Sequence, residues 1–130
     1  MKLTEAEWKI MNAVWKRHPA SARDILERVQ EETGWAYTTV KTVLSRLEGK
    51  GALRSRMRAN TALYEPVLSR ARARRSALRS LLDTAFDGAF GPMMQFLVSD
   101  EKLSDKQRDE LLRLLRESKQ KRGKFGILLR

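Results

Sequence analysis

A short stretch of the chain combines small hydroxyl side chains with closely spaced arginines. Thr38, Thr42 and Ser45 recur at intervals of three or four residues, which is the spacing of one helix face. Three arginines then occupy every second position from Arg54 to Arg58, as on one face of a strand. Hydroxyl groups form hydrogen bonds with base edges, and guanidinium groups bind phosphate. The stretch therefore has the chemistry needed to hold a nucleic acid.

The composition favours a polyanionic partner. The chain of 130 residues has a net charge of +11, and the segment from Lys41 to Arg58 holds six basic residues and one acid. A basic excess of this size attracts nucleic acid or an acidic membrane surface. Because 42% of the residues are hydrophobic, a packed core is also expected.

Several classes of protein are excluded by what the sequence lacks. Without cysteine there is no disulfide framework and no thiolate metal site. No apolar run approaches the roughly 18 residues of a membrane span, and the opening residues do not form a signal region. There is no histidine-centred triad, metal-ligand cluster or phosphate-binding glycine loop. We expect a cytoplasmic protein that is not an enzyme and needs neither cofactor nor metal.

Three short helices are predicted for the first fifty residues. Thr4 and Ser21 have the positions of helix N-caps, which predicts helices over about 5–16 and 21–33. A third helix is predicted over 38–49, because apolar residues recur there at helical spacing. Its apolar face consists of Val40, Val43, Leu44 and Leu47.

The periodicity then changes to the alternation of a β-hairpin. Alternate residues from Leu53 to Met57 are predicted to point inward, with the arginines on an outer face that carries no acid. Residues 59–61 form the predicted turn and 62–65 the return strand. Three helices followed by a hairpin is the element order of a winged helix-turn-helix domain, which we assign to residues 1–66.

The second half of the chain is predicted to be helical. Helices over 67–86 and 93–98 are separated by breakers, and a last helix begins after Ser104. Their apolar stripes lie on too short a chain to close a core alone, so we expect a homodimer. Residues 67–122 are the predicted dimerisation domain and 123–130 an irregular tail. The residues assigned to the dimer contact are Leu78, Leu81, Leu82, Phe96, Leu111, Leu114 and Leu115.

The predicted DNA-contacting surface joins the polar face of the third helix to the hairpin. Small polar side chains let a helix enter the major groove closely, and basic residues beside it reach phosphates or guanine edges. The residues assigned to this surface are Thr38, Thr39, Lys41, Thr42, Ser45, Arg46, Arg54, Arg56, Arg58 and Asn60. Five aromatic residues are interpreted as packing residues rather than as stacking platforms for bases: Trp8, Trp15, Trp35, Tyr37 and Tyr64.

Three segments carry a resemblance to a known family. Leu3–Trp8 is similar to the opening of the penicillinase repressor family (BlaI/MecI type). Thr39–Leu47 with Lys50-Gly51 is similar to its recognition helix and exit, and Tyr64 lies in a segment similar to its wing end. The resemblance covers residues 3 to about 118. It implies a mostly α-helical homodimeric repressor with an N-terminal winged helix-turn-helix domain and a C-terminal helical dimerisation domain.

The resemblance also implies how the protein acts and is relieved. It implies a double-stranded operator of two-fold symmetry, built around TACA and TGTA elements, and release when a sensor-linked protease cuts the C-terminal domain. The family's scissile bond joins asparagine to phenylalanine, and the aligned pair here is Gln95-Phe96. The copper-responsive branch uses cysteines that this chain lacks, so copper sensing of that kind is excluded. Where the family often has serine before the third helix this chain has Ala36, so we expect Thr38 to cap that helix.

Other interpretations stay open from sequence alone. The outer face of the third helix also fits an ordinary solvated surface, and the arginine strand fits a protected edge strand. The second half also fits a monomer whose helices fold back on the first. Five arginines from Arg70 to Arg79 and an apolar tail fit a membrane-surface protein, for which liposome binding without DNA binding is the test. An activator or an architectural DNA-binding protein has the same sequence features.

Overall fold

Six helices and a three-stranded antiparallel sheet follow one another along the computed structural model, which describes residues 1–100 and 103–129. The chain forms two compact units, Met1–Leu81 and Leu82–Arg130. The expected mostly helical fold with a small β wing is confirmed. The first unit extends beyond residue 66, where the sequence analysis places the end of the winged domain, because the start of the fourth helix packs within it.

The first three helices begin and end where their caps predict. Thr4 Oγ1 accepts from the Glu7 amide at 3.2 Å, and the Glu7 carboxylate accepts from the Thr4 amide at 2.8 Å. Ser21 and Asp24 form the same reciprocal pair, with both distances 3.1 Å. Gly34, at φ 65°, ends the second helix in a left-handed conformation. The bounds are α1 Glu5–Lys16, α2 Ala22–Thr33 and α3 Tyr37–Gly49.

The three strands are β1 (Ala20–Ser21), β2 (Leu53–Arg58) and β3 (Thr61–Pro66), in the order β1-β3-β2. The hairpin of β2 and β3, here called the wing, pairs Leu53 with Pro66 and Arg58 with Thr61. Only two residues are left for its turn, so the predicted turn over 59–61 is one residue too long. The sequence analysis also missed β1, because two residues beside a proline have no periodicity of their own.

One core holds these elements together. The predicted apolar face of α3 is buried in it, which confirms the helical periodicity, and the inner sides of α1 and α2 and the start of the wing are buried with it. Trp8, Trp15 and Trp35 pack against this core, and Tyr64 is buried, as their structural interpretation predicts. The largest fully buried apolar side chains are Ile10, Met11, Val14, Ile25, Val40, Leu44 and Leu47.

The fourth helix, α4 (Arg70–Phe86), begins three residues later than predicted. The residues before it still bond to the first unit: the Val67 amide donates to the Ala52 carbonyl at 2.9 Å. The Trp15 indole N–H donates to the Leu68 carbonyl at 2.9 Å. The Ser69 hydroxyl then accepts from the Arg72 amide at 3.1 Å, as an N-cap side chain does, which explains why the helix begins at Arg70.

The second unit continues with α5 (Phe90–Gln95), a π-helical turn (Phe96–Asp100) and α6 (Asp105–Leu129). The predicted break at Gly91-Pro92 lies inside the first turn of α5, where proline is tolerated because its missing N–H has no helical partner. The short helix therefore begins earlier than residue 93.

The start of α6 is as predicted and its end is not. Ser104 Oγ accepts from the Gln107 amide at 3.1 Å, and the Gln107 side chain accepts from the Ser104 amide at 3.0 Å. This reciprocal pair confirms the predicted cap. The helix continues to Leu129, so the prediction of an irregular tail over 123–130 is wrong through that residue. Arg130 lies outside the described residues.

Candidate nucleic-acid interface

The outer face of α3 is polar and open to solvent. Because the four apolar residues of α3 are buried in the core, the opposite side of the helix has to face outward. Five of the predicted contact residues lie on this exposed side: Thr38, Thr39, Thr42, Ser45 and Arg46. The structure therefore brings the predicted hydroxyl side chains together on one accessible helix surface.

The start of α3 differs from the prediction. The N-cap residue is Ala36, which offers no side-chain acceptor, and the helix begins at Tyr37. Thr38 lies inside the first turn, so the prediction that it caps the helix is wrong. Tyr37 is 42% exposed and is therefore not the packing residue that we predicted.

Thr42 has a hydrogen bond within its own helix. Its hydroxyl donates to the Thr38 carbonyl, four residues earlier, at 2.9 Å. A hydroxyl group has one proton and two acceptor lone pairs. Thr42 therefore presents an acceptor and a methyl group to solvent, a combination suited to an amino group or a thymine methyl at a base edge.

Lys41 lies between α3 and the wing. It is half-buried, and its Nζ donates to the Tyr64 hydroxyl at 3.3 Å while lying 5.9 Å from the centre of that ring. The hydrogen bond to Tyr64 raises the pKa of Lys41, so the ammonium stays charged. Its charge is directed into the groove between the two elements, whereas we predicted it at the open flank of α3.

Two of the wing arginines share one carboxylate. Glu65 lies directly across the strand pair from Arg54, whose guanidinium is 3.2 Å from Glu65 Oε2. Arg56 is 2.8 Å from Glu65 Oε1. The side chains of Arg54 and Arg56 remain 73% and 72% exposed, whereas Glu65 is 17% exposed. The expectation that this strand face carries no acid is wrong, because strand pairing brings in a residue eleven positions away.

The outer part of the wing stands clear of the core. Only Leu53 of β2 is buried: Met57 is 67% exposed, and the Ser55 hydroxyl donates to Glu48 at 2.9 Å. The prediction that Ser55 and Met57 point into the core is therefore wrong, because β2 is the edge strand of the sheet and the core covers the central strand β3, where Tyr64 opposite Ser55 is buried. Arg58 is exposed near the tip.

The tip itself is a tight turn. Ala59 and Asn60 have φ values of 48° and 67° and connect the strands directly. Two left-handed residues are typical of the hairpin turn whose twist matches that of the strands. Asn60, a predicted contact residue, is therefore exposed at the very end of the wing.

A groove of about 550 Å³ separates α3 from the wing. Arg23, in the first turn of α2, lies on one wall with its guanidinium 5.7 Å from the centre of the Tyr37 ring. Lys41 and Asn60 line the groove as well. Neither Arg23 nor the role of Tyr37 was predicted from the sequence. A basic residue in the first turn of a helix opposes the helix dipole, and this was the available signal.

A buried ion pair holds the end of α3 against α1. Glu7 is 1% exposed, and its Oε1 accepts from Lys50 Nζ at 2.6 Å. Burial raises the pKa of Glu7, but the hydrogen bonds with Lys50 and Thr4 together lower it by more than burial raises it. The net shift of the pKa is therefore downward. The carboxylate therefore stays charged at neutral pH, and the orientation of α3 relative to α1 is fixed by a charged contact.

The predicted dimer residues are largely exposed. Leu78 and Leu81 on α4 are 54% and 52% exposed. On the second unit, Phe96, Leu114 and Leu115 are exposed by 43%, 49% and 57%. Leu82 and Leu111 are half-buried.

The predicted cleavage pair lies where the helix geometry changes. Gln95 is the last residue of α5 and Phe96 the first of the π-helical turn, and both side chains are exposed. The Phe96 ring is 6.3 Å from that of Phe86. The bond is therefore on the surface of the second unit.

Neither a metal-binding cluster nor a membrane-spanning helix is present in the part of the chain that the structure describes. Among residues 1–100 and 103–129, no group of three or more His, Cys, Asp or Glu side chains is placed to hold a metal ion. No helix in that part of the chain combines the length and the apolar character that crossing a bilayer requires.

Three helices, a wing and an exposed polar third helix define the winged helix-turn-helix class of DNA-binding proteins. The family model described as "Penicillinase repressor" matches residues 3–117. The chain belongs to the penicillinase repressor family, as its opening and third helix suggest. Membership makes it a DNA-binding transcriptional repressor.

Relatives of known function match most of the chain. The methicillin resistance regulatory protein MecI of Staphylococcus aureus (strain N315) is 25% identical over 114 residues, which are 88% of this chain and 93% of the relative. The penicillinase repressor of Bacillus licheniformis is 23% identical over 121 residues, 93% and 94% of the two chains. A solved structure of the DNA binding domain of the repressor BlaI has a TM-score of 0.50 and 25% identity, covering 55% of this chain and 93% of that domain.

Proposed function

We propose that the protein represses transcription as a homodimer that places α3 of each copy in the major groove of a two-fold symmetric operator. The observation that carries this proposal is the exposed polar face of α3 beside an arginine-bearing wing in one compact unit. A helix with small polar side chains approaches base edges closely, and a hairpin beside it reaches the neighbouring phosphates.

Sequence is read by the hydroxyl side chains of α3. Thr42 presents its acceptor and its methyl group outward, and Thr38, Thr39 and Ser45 lie on the same exposed side. Arg46, at the flank of this side, is placed to contact a phosphate or a guanine edge. These residues therefore account for the choice of operator.

Affinity comes mainly from the basic residues. Arg54, Arg56 and Arg58 neutralise phosphates along the wing, and Asn60 contacts the backbone at its tip. In the groove between α3 and the wing, Arg23 and Lys41 add two further cations beside the same duplex. Each phosphate neutralised releases counterions, so binding should weaken steeply as salt rises.

The dimer is formed by the exposed leucines and phenylalanine of the helical part. Exposed apolar side chains on α4, the π-helical turn and α6 are unfavourable in water and are covered when a second copy packs on them. A two-fold dimer presents two α3 helices to two half-sites, separated by one or more helical turns of DNA.

Repression is relieved by cleavage between Gln95 and Phe96. The exposed position of this bond in the second unit supports access by a protease that a sensor activates. The family resemblance supports the location, although glutamine replaces the family's asparagine. Cutting there would separate the winged unit from α6, and the winged fragment would lose the two-site binding of the dimer.

The decisive experiment is a footprint of the purified protein on its own upstream region across a salt series. We expect protection of two half-sites with two-fold symmetry and an affinity that falls linearly on a logarithmic scale of salt. Protection of a single half-site would contradict the dimer, and uniform coating of the DNA would contradict sequence-specific repression.

A further inference from the structure

The arginine-rich start of α4 is not used by the proposed DNA-binding surface. Arg72, Arg75 and Arg79 follow one another at helical spacing and line the same groove of about 500 Å³ within the first unit. Among the described residues none of the three forms an ion pair. Three like charges on one helix face repel one another, so an anion between them is favourable.

The rest of the groove is not charged. Leu68 and Met1 supply apolar surface, and Ser76 supplies a hydroxyl beside the arginines. A concave site of this volume, with apolar walls and a few polar groups, is typical of small-molecule sites. The apolar side chains of Leu68 and Met1 suit the apolar body of a small anion, whereas a run of duplex phosphates would be held by cations and polar groups alone.

The groove is also connected to the end of α3. The Ser76 hydroxyl donates to the Met1 carbonyl at 2.8 Å, and Lys50 Nζ donates to the Lys2 carbonyl at 2.9 Å. Lys50 is the C-cap residue of α3 and also pairs with Glu7. A ligand that accepts the single proton of Ser76 therefore releases Met1 and loosens the contact between Lys2 and Lys50.

We propose that this groove binds a small organic anion, a carboxylate or phosphate on an apolar body, and that occupancy weakens operator binding through Met1 and Lys2. Binding of the anion does not depend on the proposed function, whereas its effect on operator affinity rests on that function. The guanidinium groups bind the anionic group, Ser76 donates to it, and Leu68 packs against the apolar body.

Binding is tested by isothermal titration calorimetry on the full-length protein without DNA. Benzoate and phenyl phosphate serve as apolar anions and inorganic phosphate as a probe of charge alone. We expect Kd values of about 1 mM for the first two and weaker binding for inorganic phosphate. Absence of binding, or inorganic phosphate binding as tightly as benzoate, would overturn the proposal.

Two variants of equal charge locate the site. Arg75→Gln should raise the Kd about tenfold, as expected for the loss of a charge-assisted hydrogen bond. Arg74→Gln removes the same charge from a residue of α4 that does not line the groove, and it should leave the Kd unchanged. Equal weakening by both variants would show only general charge attraction and would refute the site.

A salt series on operator DNA separates this site from a DNA contact. Neither variant should alter the salt dependence of operator binding. If Arg75→Gln reduces the slope of log operator affinity against log salt concentration and Arg74→Gln does not, the groove holds DNA phosphates and the small-anion proposal is wrong. If the wild-type protein does not bind an operator at all, the proposed function fails, while the calorimetric result still stands.

The coupling to DNA binding has its own measurement. Benzoate at a saturating concentration should lower operator affinity about fivefold in the wild-type protein. Ser76→Ala removes the hydrogen bond to Met1 and should abolish that effect. An operator affinity that benzoate does not change would overturn the coupling.

Discussion

The two compact units differ in how far their apolar side chains are buried. In the first unit the buried cluster runs from Leu3 to Ala73 and includes members of every helix and strand up to there. In the second unit, among side chains that the structure describes, only Met93 is buried. Its exposed large apolar residues include Phe90, Phe96, Leu97, Val98, Leu112, Leu114 and Leu115. The first unit completes its core by itself, whereas the second leaves large apolar side chains exposed, as expected for the dimer contact that we propose.

The largest effect is expected from charges placed on the exposed apolar surface of the second unit. Leu111→Glu with Leu115→Glu should convert the dimer to a monomer in analytical ultracentrifugation, because two buried carboxylates would lack partners. Operator affinity should fall about a hundredfold with the loss of two-site binding. Lys106→Glu changes the net charge by the same amount at an exposed position of α6 and is the control. A dimer that persists in the double variant would contradict the assignment of Leu111 and Leu115 to the dimer contact.

The next largest effect tests the self-sufficient core of the first unit. Glu7→Gln removes the charge that Lys50 pairs with and should lower the free energy of unfolding by about 2 kcal/mol. The folded pKa of Glu7 is lowered, so this stabilisation is present above its ordinary value of 4.5 and is lost as pH falls through the lower folded value. Chemical unfolding across pH should show that dependence in the wild type and less of it in the variant. Identical pH profiles would contradict a charged Glu7 in the folded state.

A smaller effect is expected where an acid restrains the wing. Glu65→Gln frees Arg54 and Arg56 and should strengthen binding to random-sequence duplex about fivefold, which corresponds to about 1 kcal/mol. Glu31→Gln removes the same charge from an exposed position of α2 and should have less effect. Fluorescence anisotropy on random and operator duplexes measures both. Equal effects of the two variants would mean that only net charge matters.

The smallest overall effect, and the most selective, concerns Thr42. Thr42→Ala should change the preference at one base pair by ~1–3 kcal/mol while leaving random-sequence binding unchanged. Thr42→Ser keeps the hydroxyl and loses the methyl group, so it separates hydrogen bonding from contact with a thymine methyl. Competition among operators altered at single positions is the measurement. Unchanged preference in both variants would show that Thr42 does not read a base.

Local signals in the sequence predicted the first three helices and the start of α6 closely. The caps at Thr4, Ser21 and Ser104 are reciprocal pairs over three residues, so their partners are visible in the sequence itself. The apolar face of α3 likewise follows from its period, and with it the exposed side that carries Thr42. These features depend on neighbours within one or two helical turns.

The features that the sequence analysis missed depend on residues far apart along the chain. β1 exists only because Ala20 and Ser21 pair with β3, more than forty residues later. The sharing of Glu65 by two arginines depends on strand register, and the exposure of Met57 depends on where the core ends. Alternation in a strand predicts two faces but not which part of them the core covers.

The core supports the wing along most of its length. Tyr64, opposite Ser55, is the last side chain of the hairpin that the core buries. Ala62, opposite Met57, still packs partly against the core, so only the Arg58–Thr61 pair and the two turn residues extend beyond it. Arg54 and Arg56 lie on the supported part of the wing, where both pair with Glu65, and Arg58 lies at its free end. We expect differences in minor-groove width between operators to be absorbed by bending at that end, which leaves the register of α3 undisturbed.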